Sequence, residues 1–400
     1  MPFNRFAYIS FDVVPAPKGA ATHIMAFTKA IAEQLGNVDL VTIASPQNTK
    51  PLQIHPHVKQ TTLPAQGKYL IDRVLYFQRM LLQWQQSQLN NNIQYDVVQI
   101  RSIFEGFPLV KNKQKLYRKL VFEVNGLPSV ELKYRYSKVA EDRDLLYKLQ
   151  QQENICLNAA NLIVTPSHTT KNYLQNIREV KTEIRVIPNG VDTNIFTYQK
   201  LPFMPKNRVD LLYFGTLASW QGVHLAIEAL ALVNREIPAT LSIIGLGRDC
   251  QITQLYKLTR KLKIDHLVTI QQPLLQSELV PRIHQSDIVL APLTANDRNL
   301  VQGCCPLKIL ETMATGTPII ASDLPVVREL GLNNQHFVLV KPGSAKAIKD
   351  GVLHLVHNPL LAQTMSINAR QQIEDNYTWQ QAGNSLIQSY QTLSNTCQLI

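Results

Sequence analysis

The stretch QGCCPLKILETMATGTPIIASDLPVVREL, residues 302–330, joins a helical pattern to a short apolar run. Pro306 suits the first helical position, and polar residues recur after it at the spacing of one helical face. These residues are Lys308, Glu311, Thr312 and Thr315. The run TPIIASD that follows has the composition of a strand buried on both faces. A helix leading into such a strand is typical of a parallel α/β sheet.

The alternation of apolar runs and helical patterns covers the whole chain and restarts once. The first set of predicted strands is RFAYISFD, VDLVTIAS, DVVQIRS, KLVFEVN and NLIVTPS, with helices over residues 22–35, 69–87 and 139–158. A proline-bearing stretch, TYQKLPFMPKNR, is the predicted linker. The second set is VDLLYFGTL, ATLSIIGLG, LVTIQQP, DIVLAPL, TPIIASD and FVLVKP. This pattern predicts an α/β protein with two doubly wound, Rossmann-like domains.

The predicted domains cover residues 1–200 and 201–376, and a final helix covers residues 377–400. In open parallel sheets, ligands bind outside the carboxyl ends of the strands. We therefore expect the two domains to face each other across an interdomain cleft that holds the functional site.

Composition narrows the class of protein and of ligand. A hydrophobic fraction of 45% with 17% charged residues is that of a folded chain, and the net charge of +11 favours an acidic partner. Phosphate-bearing ligands and an anionic membrane surface fit this charge, whereas nucleic acid fits poorly because no like-charged block or RNA-binding signature occurs. The five cysteines show no CxxC spacing, which indicates reduced thiols. With neither a signal-peptide pattern nor a run of 18 apolar residues, we expect a cytoplasmic protein.

The Lys308–Glu311 pair allows two interpretations. An i,i+3 ion pair on a solvated helix face is the simpler one, worth a few tenths of a kcal/mol. Alternatively, the pair lines a ligand site, in which helix amides hold phosphate and Glu311 binds vicinal hydroxyls. Three glycines carry the same ambiguity between a tight turn and a ligand loop: Gly19, Gly245 and Gly247.

Five motifs in consecutive order decide between these interpretations: VIPNGVDTNIF, GTLASWQGVHLAIEAL, SIIGLG, SDIVLAPL and PLKILETMATGTPIIASDLPVVREL. Together they resemble the retaining glycosyltransferases of family 4, the glycosyl transferase group 1 type with the GT-B fold. The resemblance implies transfer of a hexose from a nucleotide diphosphate sugar to a hydroxyl of a glycan, a lipid-linked acceptor or a small molecule. It implies no metal, and no cofactor beyond the nucleotide sugar as co-substrate. It also implies that the final helix crosses back to the first domain.

The resemblance places the family's functional residues on positions of this chain, with three departures. Glu311 matches the glutamate that holds the donor ribose, but the partner glutamate falls on Gly303. The usual arginine and lysine of the diphosphate site fall on Thr216 and Gln221, so Lys308 and Arg298 are the substitute cations. The implied donor-binding residues are Gly19, Gly215, Thr216, Gln221, Gly245, Gly247, Arg298, Gly303, Cys304, Cys305, Pro306, Leu307, Lys308 and Glu311.

Four residues are candidates for a catalytic role. Lys308 would stabilise the leaving diphosphate. In the first half, His23 stands where relatives carry polar residues, and Glu123 and Asn125 end a strand whose side chains are expected to reach the site. A helix-surface histidine and a capped structural carboxylate are the simpler interpretations of His23 and Glu123. An acid in an apolar strand end is costly unless it has a purpose.

Two basic amphipathic stretches, GKYLIDRVLYFQRMLLQW and KNKQKLYRKLVF, fit either core packing beside a solvated surface or contact with anionic lipid. The cations of the second stretch are Lys111, Lys113, Lys115, Arg118 and Lys119. The three lost family residues leave a second function open, a non-catalytic nucleotide- or sugar-binding protein. Nucleotide-sugar epimerisation is a third, although no acid/base set for it is identifiable.

Overall fold

The computed structural model describes residues 3–44, 53–111, 116–199 and 208–395. The chain divides into two compact units: unit 1 comprises Met1–Pro188 and Trp379–Ile400, and unit 2 comprises Asn189–Thr378. Unit 2 therefore begins before the linker that the sequence predicted over residues 197–208. Residues 200–207 of that linker lie outside the described part of the chain.

Unit 1 is built on a parallel sheet. Its described elements before the crossing to unit 2 are β1 (Arg5–Val13), α1 (Gly19–Gln34), β2 (Asn37–Ile43), β3 (Val58–Leu63), α2 (Leu70–Asn90), β4 (Tyr95–Ile100), α3 (Ile103–Lys111), β5 (Tyr117–Glu123), α4 (Pro128–Arg135), α5 (Ser137–Glu141), α6 (Arg143–Ala159), β6 (Leu162–Thr165), α7 (His168–Asn176) and β7 (Ile184–Val186). The strand order is β3-β2-β1-β4-β5-β6-β7. The order reverses between β1 and β4, the topological switch at which such sheets bind ligands.

The local sequence explains where unit 1 departs from the predicted elements. Strand β3 lies at the sheet edge with half-exposed side chains, so it lacks the apolar run of a buried strand. The single helix predicted over residues 139–158 is two helices, because Asp142 interrupts it and its side chain accepts a hydrogen bond from the N–H of Leu145. Helix α1 begins at Gly19, three residues before its predicted start.

Unit 2 repeats the architecture. Its described elements are β8 (Val209–Phe214), a 3-10 helix (Ser219–Gln221), α8 (Val223–Val233), β9 (Ala239–Ile244), α9 (Asp249–Lys261), a 3-10 helix (Asp265–Leu267), β10 (Val268–Gln271), α10 (Gln276–Gln285), β11 (Ile288–Ala291), a π-helix (Arg298–Gln302), α11 (Leu307–Thr315), β12 (Ile319–Ser322), α12 (Pro325–Arg328), β13 (Val338–Val340), α13 (Ala345–His357) and α14 (Pro359–Asn376). The parallel strands follow the order β10-β9-β8-β11-β12-β13. The predicted class, two parallel-sheet Rossmann-like domains, is confirmed. The cleft between them stays a prediction.

The last described helix, α15 (Trp379–Asn395), packs in unit 1. Its apolar side chains Leu386, Ile387 and Tyr390 join the core formed by α1 and one face of the sheet, where the Tyr390 ring stacks on Phe6. Trp379 meets the ring of His23 edge-on, at a centroid distance of 5.5 Å. Helix α15 therefore covers the face of unit 1 that carries α1.

Across the described residues, no helix combines the length and the apolar character needed to span a membrane. Cytoplasmic location and membrane contact stay predictions.

Candidate functional site

The lysine of the opening stretch is buried in unit 2. Lys308 lies in the first turn of α11 and is only 9% exposed. Its Nζ donates a hydrogen bond of 3.1 Å to Oε1 of Gln221 and lies 3.7 Å from the centre of the Tyr213 ring. Burial lowers the pKa of Lys308 to about 7, and the charge of Glu311 opposes this shift only in part. A buried ammonium held mainly by neutral groups marks a candidate anion site.

The rest of the polar stripe separates into two roles. Thr312 and Thr315 are buried and donate to helix carbonyls, so the interpretation as a solvated helix face is wrong. Glu311 is half-buried, and burial raises the pKa of its carboxyl to about 7, against the opposing charge of Lys308. Lys308 and Glu311 are therefore the two ionisable side chains of α11, and burial disfavours the charged form of each.

The glycines of unit 2 let two loops approach each other and the lysine. Gly215 has a φ of +125°, and a Cβ on it would lie 3.2 Å from Cε of Lys308. A Cβ on Gly245 would overlap the carbonyl oxygen of Gly215, and Gly247 packs against Leu217. The loop after β9 thus needs Gly245 and Gly247 for packing on the loop after β8. Thr216 is exposed, and its carbonyl accepts a hydrogen bond of 2.6 Å from the Tyr213 hydroxyl.

Backbone geometry favours glycine at position 303, where the resemblance implies a glutamate. Gly303 ends the π-helix with φ 87° and ψ 167°, a conformation open essentially to glycine alone. A glutamate at this position would be strained. Arg298, at the start of the π-helix, lies with its guanidinium carbon 5.3 Å from the centre of the Trp220 ring. It is therefore anchored beside the residue that precedes Gln221.

The residues between Gly303 and Lys308 form a buried entry to α11. Cys304 and Cys305 are buried, Pro306 precedes the first helical residue instead of occupying it, and Leu307 starts the helix half-exposed. Burial raises the pKa of the Cys305 thiol well above its ordinary value, so this thiol is protonated and unreactive near neutral pH. Cys304 and Cys305 contribute packing and backbone here.

In unit 1, Glu123 is the centre of a buried polar network. It is 1% exposed at the carboxyl end of β5, and within the described residues five side chains present donors to it. Arg101 Nε donates to Oε1 at 2.7 Å and Gln99 Nε2 to Oε2 at 2.6 Å. The remaining donors are Asn125 Nδ2, the Tyr8 hydroxyl and His23 Nε2, the last at 2.9 Å from Oε1. The donors occupy both carboxylate oxygens.

The protonation state of Glu123 follows from these contacts. Burial would raise the pKa of Glu123, but His23 and Arg101 overcome that effect and hold the pKa well below its usual range. Glu123 is therefore an anion that orients its neighbours, and a weak proton acceptor. The structure brings three of the predicted residues together: His23, Glu123 and Asn125. His23 is 3% exposed and so is not a helix-surface residue.

Two site residues in unit 1 were missed in the sequence. Arg101 follows β4, and its Nη1 lies 3.1 Å from Oδ2 of Asp12 in β1. Asp12 also pairs with Lys18 at 3.1 Å, beside the exposed Gly19 that starts α1. The signal for Arg101 and Asp12 was present, because each lies at or directly after the carboxyl end of a predicted strand.

The basic stretches remain without an assigned partner. Arg118 forms an ion pair with Asp96 at 3.3 Å, and Lys111 lies 5.9 Å from the centre of the Phe107 ring. Lys113 and Lys115 fall outside the described residues. Within the described ranges, no group of three His, Cys, Asp or Glu side chains could hold a metal ion.

Family models match both halves of the chain. Residues 17–195 match the model described as Glycosyltransferase Family 4, and residues 197–372 match the model described as Glycosyl transferases group 1. The chain belongs to this family of glycosyltransferases. Among curated proteins it is similar to glycogen synthase of Mycobacterium tuberculosis, with 29% identity over 212 residues, 52% of this chain and 48% of that protein. The chain therefore aligns with about half the length of this relative.

Solved structures share the fold over almost the full chain. Sucrose-phosphate synthase from Thermosynechococcus elongatus gives a TM-score of 0.82 at 19% identity and covers 98% of this chain and 100% of its own. HepE of Anabaena in complex with UDP-glucose gives 0.74 at 16% identity, with coverages of 99% and 100%. At these identities the similarity shows the GT-B fold.

Replacing Lys308 with a neutral side chain should raise the free energy of unfolding, and the gain should be larger near pH 7 than near pH 10. The folded-state pKa of Lys308, about 7, lies below the ordinary 10.5, so the folded state loses stability as pH falls from about 10.5 to 7. We expect Lys308→Met to raise Tm at pH 7 and the gain to shrink towards pH 10, measured by calorimetry. Lys346→Met, which changes an exposed lysine on α13, is the matched control. A difference in Tm that does not vary with pH would contradict the buried charge.

Proposed function

We propose that the protein transfers a hexosyl unit from a nucleoside diphosphate sugar to an acceptor hydroxyl, with retention of configuration and without a metal ion. Family membership supports glycosyl transfer, and the buried Lys308 is the observation that carries the site. Its ammonium lies in the first turn of α11, where backbone N–H groups also favour an anion. A diphosphate beside Lys308 would supply the negative charge that Gln221 and Tyr213 lack.

Each residue of the proposed donor site has a defined task. Lys308 holds the leaving diphosphate and stabilises the charge that grows on it as the glycosidic bond breaks. Gln221 fixes the position of the ammonium through its 3.1 Å contact. Glu311 accepts hydrogen bonds from the ribose hydroxyls through its carboxylate oxygens. Gly215 keeps the space beside Lys308 free of a side chain.

No residue is assigned as the base that deprotonates the acceptor. The carboxylate of Glu123 is already occupied by donors, which makes it an orienting group for Arg101, His23 and Asn125. We propose that the leaving diphosphate itself receives the acceptor proton, as the family resemblance implies. The protein then contributes positioning and charge stabilisation.

The direct test of the proposal is the transfer reaction. UDP, GDP, ADP and CDP at equal excess first identify the nucleotide, since a ligand at 100 times its Kd stabilises the fold by about 2.7 kcal/mol. With the matching nucleotide sugar and a panel of hydroxyl acceptors, we expect a product of retained anomeric configuration in excess EDTA. Activity that disappears in EDTA and returns with magnesium would contradict metal independence. Nucleotide binding without transfer to any acceptor or to water would favour the non-catalytic alternative.

Glu311 tests the ribose contact. Glu311→Ala removes both acceptor oxygens, so we expect the affinity for the matching nucleoside diphosphate to fall by at least tenfold, the loss of about 1.4 kcal/mol or more. Isothermal titration calorimetry measures this change, and an unaltered circular dichroism spectrum shows that the variant is folded. The 2′-deoxy nucleotide should bind wild type more weakly but bind Glu311→Ala without further loss. Equal affinity of wild type and Glu311→Ala would remove Glu311 from the site.

Lys308 tests the charge on the leaving group. A hydrogen bond to a charged group is worth about 1.5–3 kcal/mol, so Lys308→Ala should lower kcat/KM by roughly 10- to 150-fold, with kcat falling as well. Gln221→Lys in the same chain should restore part of the loss, because the two side chains are in contact. Gln221→Lys alone is the control, since it places two ammonium groups together and should lower activity. A Lys308→Ala enzyme with wild-type kcat/KM would contradict the assignment.

A further inference from the structure

The segment after β7 does more than turn the chain. Residues 189–199, which we call the strap, contain NGVDTNIF, part of one of the five motifs that carry the family resemblance. The strap opens unit 2 and contacts Cys305, two residues before α11, and Thr315, the last residue of α11. Because Lys308 and Glu311 lie on α11, whatever holds this helix also sets the place of the proposed donor site.

At the start of α11, Asn189 holds Cys305. The buried side chain of Asn189 donates a hydrogen bond of 2.8 Å from Nδ2 to the carbonyl oxygen of Cys305. A backbone hydrogen bond from Asn189 also reaches the Cys305 side chain. Cys305 directly precedes Pro306, whose carbonyl accepts the N–H of Ile309 in the first turn. Asn189 thus fixes the peptide from which the helix begins, three residues before Lys308.

At the other end, the strap holds the last turn of α11. The N–H of Gln199 donates to the carbonyl of Thr315 at 3.2 Å. Arg370 of α14 joins the two segments, because its Nη1 donates at 2.9 Å both to the Phe196 carbonyl and to the Ala314 carbonyl. The ring of Phe196 is buried in the same apolar cluster as the inner face of α11. The strap therefore contacts the last turn of α11 and, through Asn189, the residue that precedes Pro306 at its start.

We propose that Asn189 is a positioning residue for the donor site, because its side chain fixes the start of α11 and so holds Lys308 against Gln221 and Tyr213. This inference rests on the proposed function and deepens it. Asn189→Ala leaves a buried carbonyl without its donor and releases the first turn, so the ammonium no longer meets the diphosphate at a fixed place. Asn189→Ala should weaken ligand binding only through the displacement of Lys308. A general loss of stability would instead weaken binding whether or not Lys308 is present.

A double-mutant cycle tests the dependence. The affinity for the nucleoside diphosphate that shifts Tm most is measured by calorimetry for wild type, Asn189→Ala, Lys308→Ala and the double variant. We expect Asn189→Ala to weaken binding about tenfold in wild type but less than twofold in the Lys308→Ala background. Asn194→Ala is the matched control, an exposed asparagine of the same strap, and should bind like wild type.

Each outcome separates the inference from the proposed function. Equal factors for Asn189→Ala in both backgrounds, or wild-type affinity of Asn189→Ala, overturn the positioning role while the Lys308 site stands. Wild-type affinity of Lys308→Ala overturns the Lys308 site of the proposed function, whereas the transfer reaction tests the function itself. If Asn189→Ala is too unstable to measure, Asn189→Leu takes its place in the cycle, because it keeps about the size of the side chain, adds no charge and cannot donate the hydrogen bond.

Discussion

The side chain of Lys308 in unit 2 has been withdrawn from water without a full counter-charge. Removing a charge from solvent costs several kcal/mol unless fixed polar groups replace the water. Around Lys308 those groups are the Gln221 oxygen at 3.1 Å and the face of the Tyr213 ring at 3.7 Å. Neither carries a charge, so the site solvates the lysine incompletely. An anionic ligand would provide the missing electrostatic stabilisation of the ammonium. This is the physical reason for the predicted affinity of the site for a diphosphate.

The buried charge of unit 1, on Glu123, is by contrast stabilised by its polar neighbours. The carboxylate of Glu123 is matched by donors from several elements of the fold, and its pKa is lowered in spite of burial. A carboxylate in this state resists protonation and holds its partners still. Tyr390 of α15 donates to Gln99, which in turn donates to Glu123, so the last helix also supports this network. The buried charge of Glu123 is thus matched by polar contacts within unit 1, whereas that of Lys308 is contacted mainly by neutral groups, as expected of the proposed anion site.

The sequence predicted the parts of the molecule that depend on local pattern. Apolar runs located eleven of the thirteen described strands, because strands buried on both faces leave a continuous signal, whereas the half-exposed β3 and the three-residue β7 left none. The pairing of Lys308 with Gln221 and of Glu123 with Arg101 could not be predicted, since those contacts join residues 87 and 22 positions apart. The burial of Lys308 was also missed. A polar stripe at helical spacing predicts a solvated face, and only the neighbouring loops of the fold show that this face is covered.

The three departures from the family pattern are easier to understand together than singly. Gly303 has a φ of +87°, so the glutamate that the resemblance implies at this position would be strained. Gln221 stands where the resemblance implies a cation, and it lies within hydrogen-bond distance of Lys308, which is a cation on a different element. A lysine at both positions would bring two ammonium groups to about the distance at which like charges repel strongly in a low-dielectric site. Lys308 and Gln221 therefore place a single positive charge at this point of unit 2. A single ammonium here is what the proposed diphosphate contact requires.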